Sequence, residues 1–210
     1  MSDPKPKSTM RRLLESGPTD PLLLNKLALL EELQEAHAKG DQKTMLEIGQ
    51  KLAVNDAAFD QTQTNRRARI KKAMAAAKSV ADPEERTKAL LSAFQFCVKE
   101  ACAADEESRD IPTYNFGVKR LCEISDELKA LGRFSALAQF LDSPDIEVRG
   151  FAAVWVRDLW PERILPILKE INKTEGFGTP VGTQVYIAMC ELERAKEKAA
   201  AGQKEPGAKP

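Results

Sequence analysis

Apolar residues along this chain recur three and four positions apart and almost nowhere alternate with polar ones, so the pattern predicts helix after helix. Ser8 is placed to cap a short helix through Glu15 that ends at Gly17. Asp20 and Pro21 then supply a capping acid and a proline at the first helical position. The helix over residues 21–39 carries Leu23, Leu27, Leu30 and Leu33 as its apolar stripe and stops at Gly40. Asp41 caps a second helix, expected to run to about residue 54 with Met45, Ile48 and Leu52 inward, and the short connection makes the two an antiparallel hairpin.

After a break over residues 55–60, the polar, alanine-rich segment 61–80 offers only Ile70, Met74 and Ala77 as an apolar stripe. It also holds Arg66, Arg67, Arg69, Lys71 and Lys72. Consecutive helical residues fan out around the axis, so this run reads as a solvated face beside acidic neighbours and not as one phosphate-binding surface. The run Asp82, Pro83, Glu84, Glu85 is a strong start signal, after which Leu90, Leu91, Phe94, Cys97, Val98 and Ala101 form a broad apolar face. Residues 104–112 are acidic and end in Pro112, which predicts a loop and a boundary. A helix resumes at about Thr113 with Val118, Leu121, Ile124 and Leu128 inward and Gly132 as its C-terminal cap, followed by a short helix over 133–141. Ser143 then caps, Pro144 starts, and Val148, Ala152, Trp155 and Leu159 form the next buried stripe. Pro161 opens a further helix, and the glycine-rich stretch 174–182 reads as a loop that exposes Phe177 before a last helix.

Leu141, Asp145, Val148, Arg149, Ala152 and Ala153 stand in an order that resembles the second helix of a HEAT or armadillo-type repeat, over about residues 133–171. In such repeats the aspartate and arginine bond neighbouring turns, which implies a structural role for Arg149. More widely, residues 114–193 are similar to the bacterial family called DUF2019, whose function is not established. Tyr114 and Asn115, the segment Glu127, Leu128, Lys129, the pair Val148 and Arg149, Pro161 with Glu162, and the glycines from Gly176 to Gly182 follow that family's order. The resemblance implies an all-α fold and carries no catalytic motif.

Charge changes the picture little: 32 basic and 32 acidic side chains cancel, so no global field draws the chain toward nucleic acid or an anionic membrane. Cys97, Cys102, Cys122 and Cys190 include no closely spaced pair, and His37 is the one histidine, so neither a zinc site nor a redox pair is indicated. The thiols read as reduced, in a cytoplasmic protein. Acids such as Glu106, Glu107, Asp110, Glu123, Asp126 and Glu127 are dense on helices without a distinguished pair. The expectation is no catalytic residue, no metal and no cofactor.

The whole reads as an all-α, α-solenoid-like (HEAT/ARM-like) stack of about eight to ten helices. Residues 1–20 form a flexible N-terminus, 21–104 an N-terminal helical region, 113–200 a HEAT-like C-terminal region and 201–210 a disordered tail. Such stacks ordinarily bind proteins. The expected function is therefore a protein-protein interaction module of a bacterial cytosolic protein, of the immunity or adaptor kind, with Arg149, Arg157, Trp160 and Phe177 as candidate partner contacts. The alternative is a HEAT-like nucleic-acid-binding or DNA-repair protein, which requires Arg66, Arg69, Lys72, Arg149 and Arg157 to gather on one surface. No membrane partner is expected, and the pattern is silent on oligomeric state.

Overall fold

The structure is a computed structural model and describes residues 21–108, 110–175 and 179–202. It is all-α: α1 spans Pro21–Lys39, α2 Gln42–Ser79, α3 Pro83–Ser108 and α4 Ile111–Ala130. A 3-10 helix, η1, covers Phe134–Asp142, and α5 (Ile146–Val156), α6 (Pro161–Glu175) and α7 (Pro180–Gly202) complete the order. The described residues contain no strand. The short helix expected over residues 8–15 and the expected C-terminal tail lie outside them, apart from the end of α7.

The two glycine stops behave as the sequence predicts. Gly40 (φ 69°) and Gly132 (φ 66°) take the left-handed conformation that glycine adopts without steric cost. At each, a paired closure ends the helix: Gly40 N–H and Asp41 N–H donate to the His37 and Ala36 carbonyls, as Gly132 N–H and Arg133 N–H donate to those of Lys129 and Leu128. Asp41, Asp82 and Asp110 cap α2, α3 and α4 by accepting from the backbone N–H groups of Thr44, Glu85 and Thr113.

The break expected at residues 55–60 does not occur. Helix α2 runs unbroken for 38 residues, about 57 Å. No proline or glycine falls between residues 50 and 79. Asn55, at the start of the expected break, turns its side chain away from its own backbone: its Nδ2 donates to the Leu22 carbonyl (2.8 Å) and its Oδ1 accepts from Asn25 (2.9 Å). A side chain engaged across the hairpin cannot compete for the helix backbone.

Three further expectations change. The loop placed at 104–112 is mostly helix, since α3 continues through Ser108 and α4 starts at Ile111, two residues before the expected Thr113. Asp145, not Ser143, caps α5, because its carboxylate accepts from Val148 N–H while the Ser143 hydroxyl accepts from Asp145 N–H. Helix α5 ends at Val156, so Leu159 lies beyond the stripe it was assigned to and is exposed, and Val156 is buried instead.

Two apolar clusters form. The larger runs from Ile70 to Leu192 and joins the second half of α2 to every later element. At its centre Phe94 of α3 stacks on Phe140 of η1 (5.6 Å between centroids) and meets Trp155 of α5 edge-on (6.1 Å). The smaller cluster consists of Leu29, Ala36 and Ile48, with Leu33, Met45 and Leu52 against it, and holds α1 to the first half of α2. Each element packs mainly on its neighbours in sequence and on the next but one, an arrangement compatible with a solenoid-like stack.

Candidate interaction surface

Helix α5 is the pivot of the C-terminal half. Val148, Gly150, Phe151, Ala152, Ala153, Val154 and Val156 are all buried, so most of its circumference is covered by η1, α6, α7 and α3. Small residues make this enclosure possible: a Cβ on Gly150 would stand 2.3 Å from Val181 Cγ2 of α7. Asp145 fixes the start of the helix twice, by its cap and by an ion pair with Lys99 of α3 at 2.9 Å. Desolvation, the largest single influence, pushes the Asp145 carboxyl up, but the Lys99 ammonium and the Val148 N–H together outweigh it and hold the carboxyl below its ordinary value.

Arg149 serves this frame. Its Nη1 donates to the Ser143 carbonyl (3.3 Å) and its Nη2 lies 3.7 Å from Glu170 of α6, across the turn and helix it joins. Arg149 therefore bonds the turn before α5 and reaches toward α6.

Arg157 and Trp160 sit differently. Arg157, just past the end of α5, pairs with Glu191 of α7 at 2.7 Å and lies 3.7 Å from Asp158. The next residues reach solvent: Leu159 is 45% and Trp160 36% exposed. On α7, Val181, Val185, Ala188 and Leu192 face the core, which turns Tyr186 (42% exposed) and Ile187 (45% exposed) outward. Ile187 is one helical turn before Glu191 and so on the same face as the Arg157 contact. Leu159 and Trp160 thus follow Arg157 in sequence, Ile187 stands one turn from its partner Glu191, and a separate ion pair of Lys196 with Glu162 (3.5 Å) joins α7 to α6. Phe177 lies outside the described residues. Tyr186 and Ile187 escaped the sequence reading, although the spacing of the buried α7 residues contained the signal.

The basic run on α2 is drawn into ion pairs. Arg66 is buried, with its Nε 3.3 Å from Glu100 of α3, and Arg69 reaches the same carboxylate at 2.8 Å. Arg67 donates to the Thr113 hydroxyl (2.7 Å) and approaches Asp110 (3.7 Å), while Lys71 lies over the Phe116 ring. Nearby, Lys78 and Arg86 face Glu127, and Arg120 pairs with Glu123, holding that carboxyl below its usual range. The expected solvated face is therefore partly an interhelical lattice, corrected at Arg66 by burial. Arg149 and Arg157 pair with acids on other helices, so the five cations named for nucleic acid do not share one open surface as free charges.

Chemistry elsewhere is sparse. Burial, the dominant influence, pushes the Cys97 thiol up to about 12, which leaves it a core side chain and not a thiolate nucleophile. Among the described residues no group of three or more His, Cys, Asp or Glu side chains is arranged to hold a metal ion, and no helix is long and apolar enough to cross a membrane. Set against known proteins, the chain matches no family model, no curated protein and no solved structure.

Proposed function

We propose that this chain is a protein-interaction module that binds its partner through the surface around Leu159, Trp160, Ile187 and the Arg157–Glu191 pair. The single observation that carries this reading is the exposure of Leu159, Trp160 and Ile187, the first two within three residues of Arg157 and the third one turn from the Glu191 that pairs with it. Tryptophan and arginine dominate binding hot spots because they combine large apolar area with directed polar groups, and a pre-positioned side chain loses less freedom on binding. The reading extends to an immunity or adaptor role in a bacterial cytosol, since helical stacks ordinarily bind proteins. A nucleic-acid-binding role draws no support from a basic run whose guanidiniums are engaged by Glu100, Asp110 and Thr113.

Affinity capture with the tagged full chain, and with its Trp160→Ala and Ile187→Asp variants, tests the reading. The expected result is one protein retained at high salt by the native chain and lost by both variants, with affinity for Trp160→Ala down about 30-fold, the effect of roughly 2 kcal/mol at a hot spot. Retention undiminished in both variants, or recovery only of nucleic acid that elutes with salt, overturns it.

A further inference from the structure

Helix α7 turns one line of side chains away from the core. Val181, Val185, Ala188 and Leu192 are buried, and Cys190 stands about half a turn around the helix from Ala188 and Leu192. Tyr186 and Arg194 lie four residues to either side of Cys190, so the three share one outward face. Tyr186 is 42% exposed, and its hydroxyl hydrogen-bonds the Cys190 sulfur. Arg194 is exposed too. Its charged neighbours on α7 are engaged: Glu191 pairs with Arg157, Glu193 with Lys169 of α6 (2.7 Å) and Lys196 with Glu162. Arg194 itself makes no ion pair among the described residues. The Tyr186 ring cannot serve it within one chain, because eight residues of helix set the two about 12 Å apart along the axis.

We propose that two copies of this chain associate through the outward faces of α7, packed antiparallel about a two-fold axis at Cys190. The spacing is self-complementary. An antiparallel copy reverses the order of the line, so Arg194 of each copy meets Tyr186 of the other, and a guanidinium over an exposed ring is a favourable contact made twice. The two Arg194 side chains stay about 12 Å apart along the axis, and the opposed helix dipoles attract. Cys190, small and on the axis, lets the helices approach to the roughly 8–10 Å of packed helices.

The occupant is a second copy because the line carries one cation and one ring at equal distances from its centre, which a reversed copy of itself matches position for position. Residues 183–197 span about 21 Å of helix. A single helix pair of that length buries less than the roughly 800 Å2 per partner of a standard interface, so the dimer is reversible and forms with rising concentration. The inference goes beyond the partner surface around Trp160 and stands without it.

Sedimentation equilibrium of the full chain over a concentration series tests the proposal. The expected result is a monomer-dimer equilibrium that Arg194→Ala and Tyr186→Ala each weaken about tenfold, since either removes both cation-ring contacts. The double variant is expected to be about as weak as the single ones, because both substitutions delete the same pair. A chain that stays monomeric throughout, a dimer that both variants leave unchanged, or effects that add in the double variant overturns it. Trp160→Ala is expected to leave the equilibrium as it is, which separates this result from that of partner capture; a dimer lost in that variant also counts against the α7 pairing. In parallel, a short bismaleimide applied to the Cys122→Ser chain is expected to join Cys190 of one copy to Cys190 of the other, as read by mass spectrometry, and absence of that product overturns the antiparallel register.

Discussion

Close packing at the level of single residues decides the C-terminal half. Gly150 takes no special backbone conformation; it is glycine because Val181 occupies the space of a Cβ. Gly150→Ala forces a 2.3 Å contact to relax through α5 or α7, and overpacking of this kind costs about 1–3 kcal/mol. A lowered denaturation midpoint with an unchanged slope is the expected outcome in urea unfolding. Exposed Gly49 is the control, because a Cβ there would meet nothing within 4 Å: Gly49→Ala raises stability by up to about 1 kcal/mol through helix propensity. The same scale separates the candidate contacts, because Arg149 is held by Ser143 and Glu170 within the frame while Trp160 is not enclosed.

Among elements, α2 carries the main surprise. Its first half belongs to the hairpin with α1 and its second half to the larger core, so one rigid rod links the two clusters. Ala57→Pro tests its continuity, since a proline inside a helix removes an N–H and clashes with the carbonyl four residues earlier, at about 3 kcal/mol. Increased protease cleavage and faster amide exchange around residues 53–58 are expected; a chain that tolerates the proline without either effect has a break there. Helix starts and stops were largely legible in the sequence, because caps and glycine stops act through bonds within a few residues. The break expected over residues 55–60 fails because Asn55 is satisfied by Leu22 and Asn25, about thirty residues away in sequence and invisible to a local pattern. Leu159 failed for a related reason: the periodicity continued past Val156 while the helix did not.

On the scale of the molecule the two clusters are unequal among the described residues, three buried side chains against an extended core that runs from Ile70 to Leu192. Stability follows buried apolar contact, so the α1 end is expected to open at lower free energy than α3, α4 and α5. Native-state hydrogen exchange measures this order. Phe94→Ala, which removes a ring shared by α3, η1 and α5, is expected to cost about 3–5 kcal/mol and to lower the protection of the large core while the hairpin amides change little.

By itself the sequence determined the all-α class, the glycine stops at Gly40 and Gly132, the acidic caps Asp41 and Asp82 and the apolar faces of α3 and α4, because each depends on period and on neighbours within one or two turns. Tertiary structure alone decided that α2 is continuous, that Arg66 and Arg69 converge on Glu100, that Arg157 meets Glu191, and that Trp160 and Ile187 are left exposed. Those outcomes depend on which helix lies opposite, and the partners that satisfy a side chain or leave it exposed stand far away along the chain.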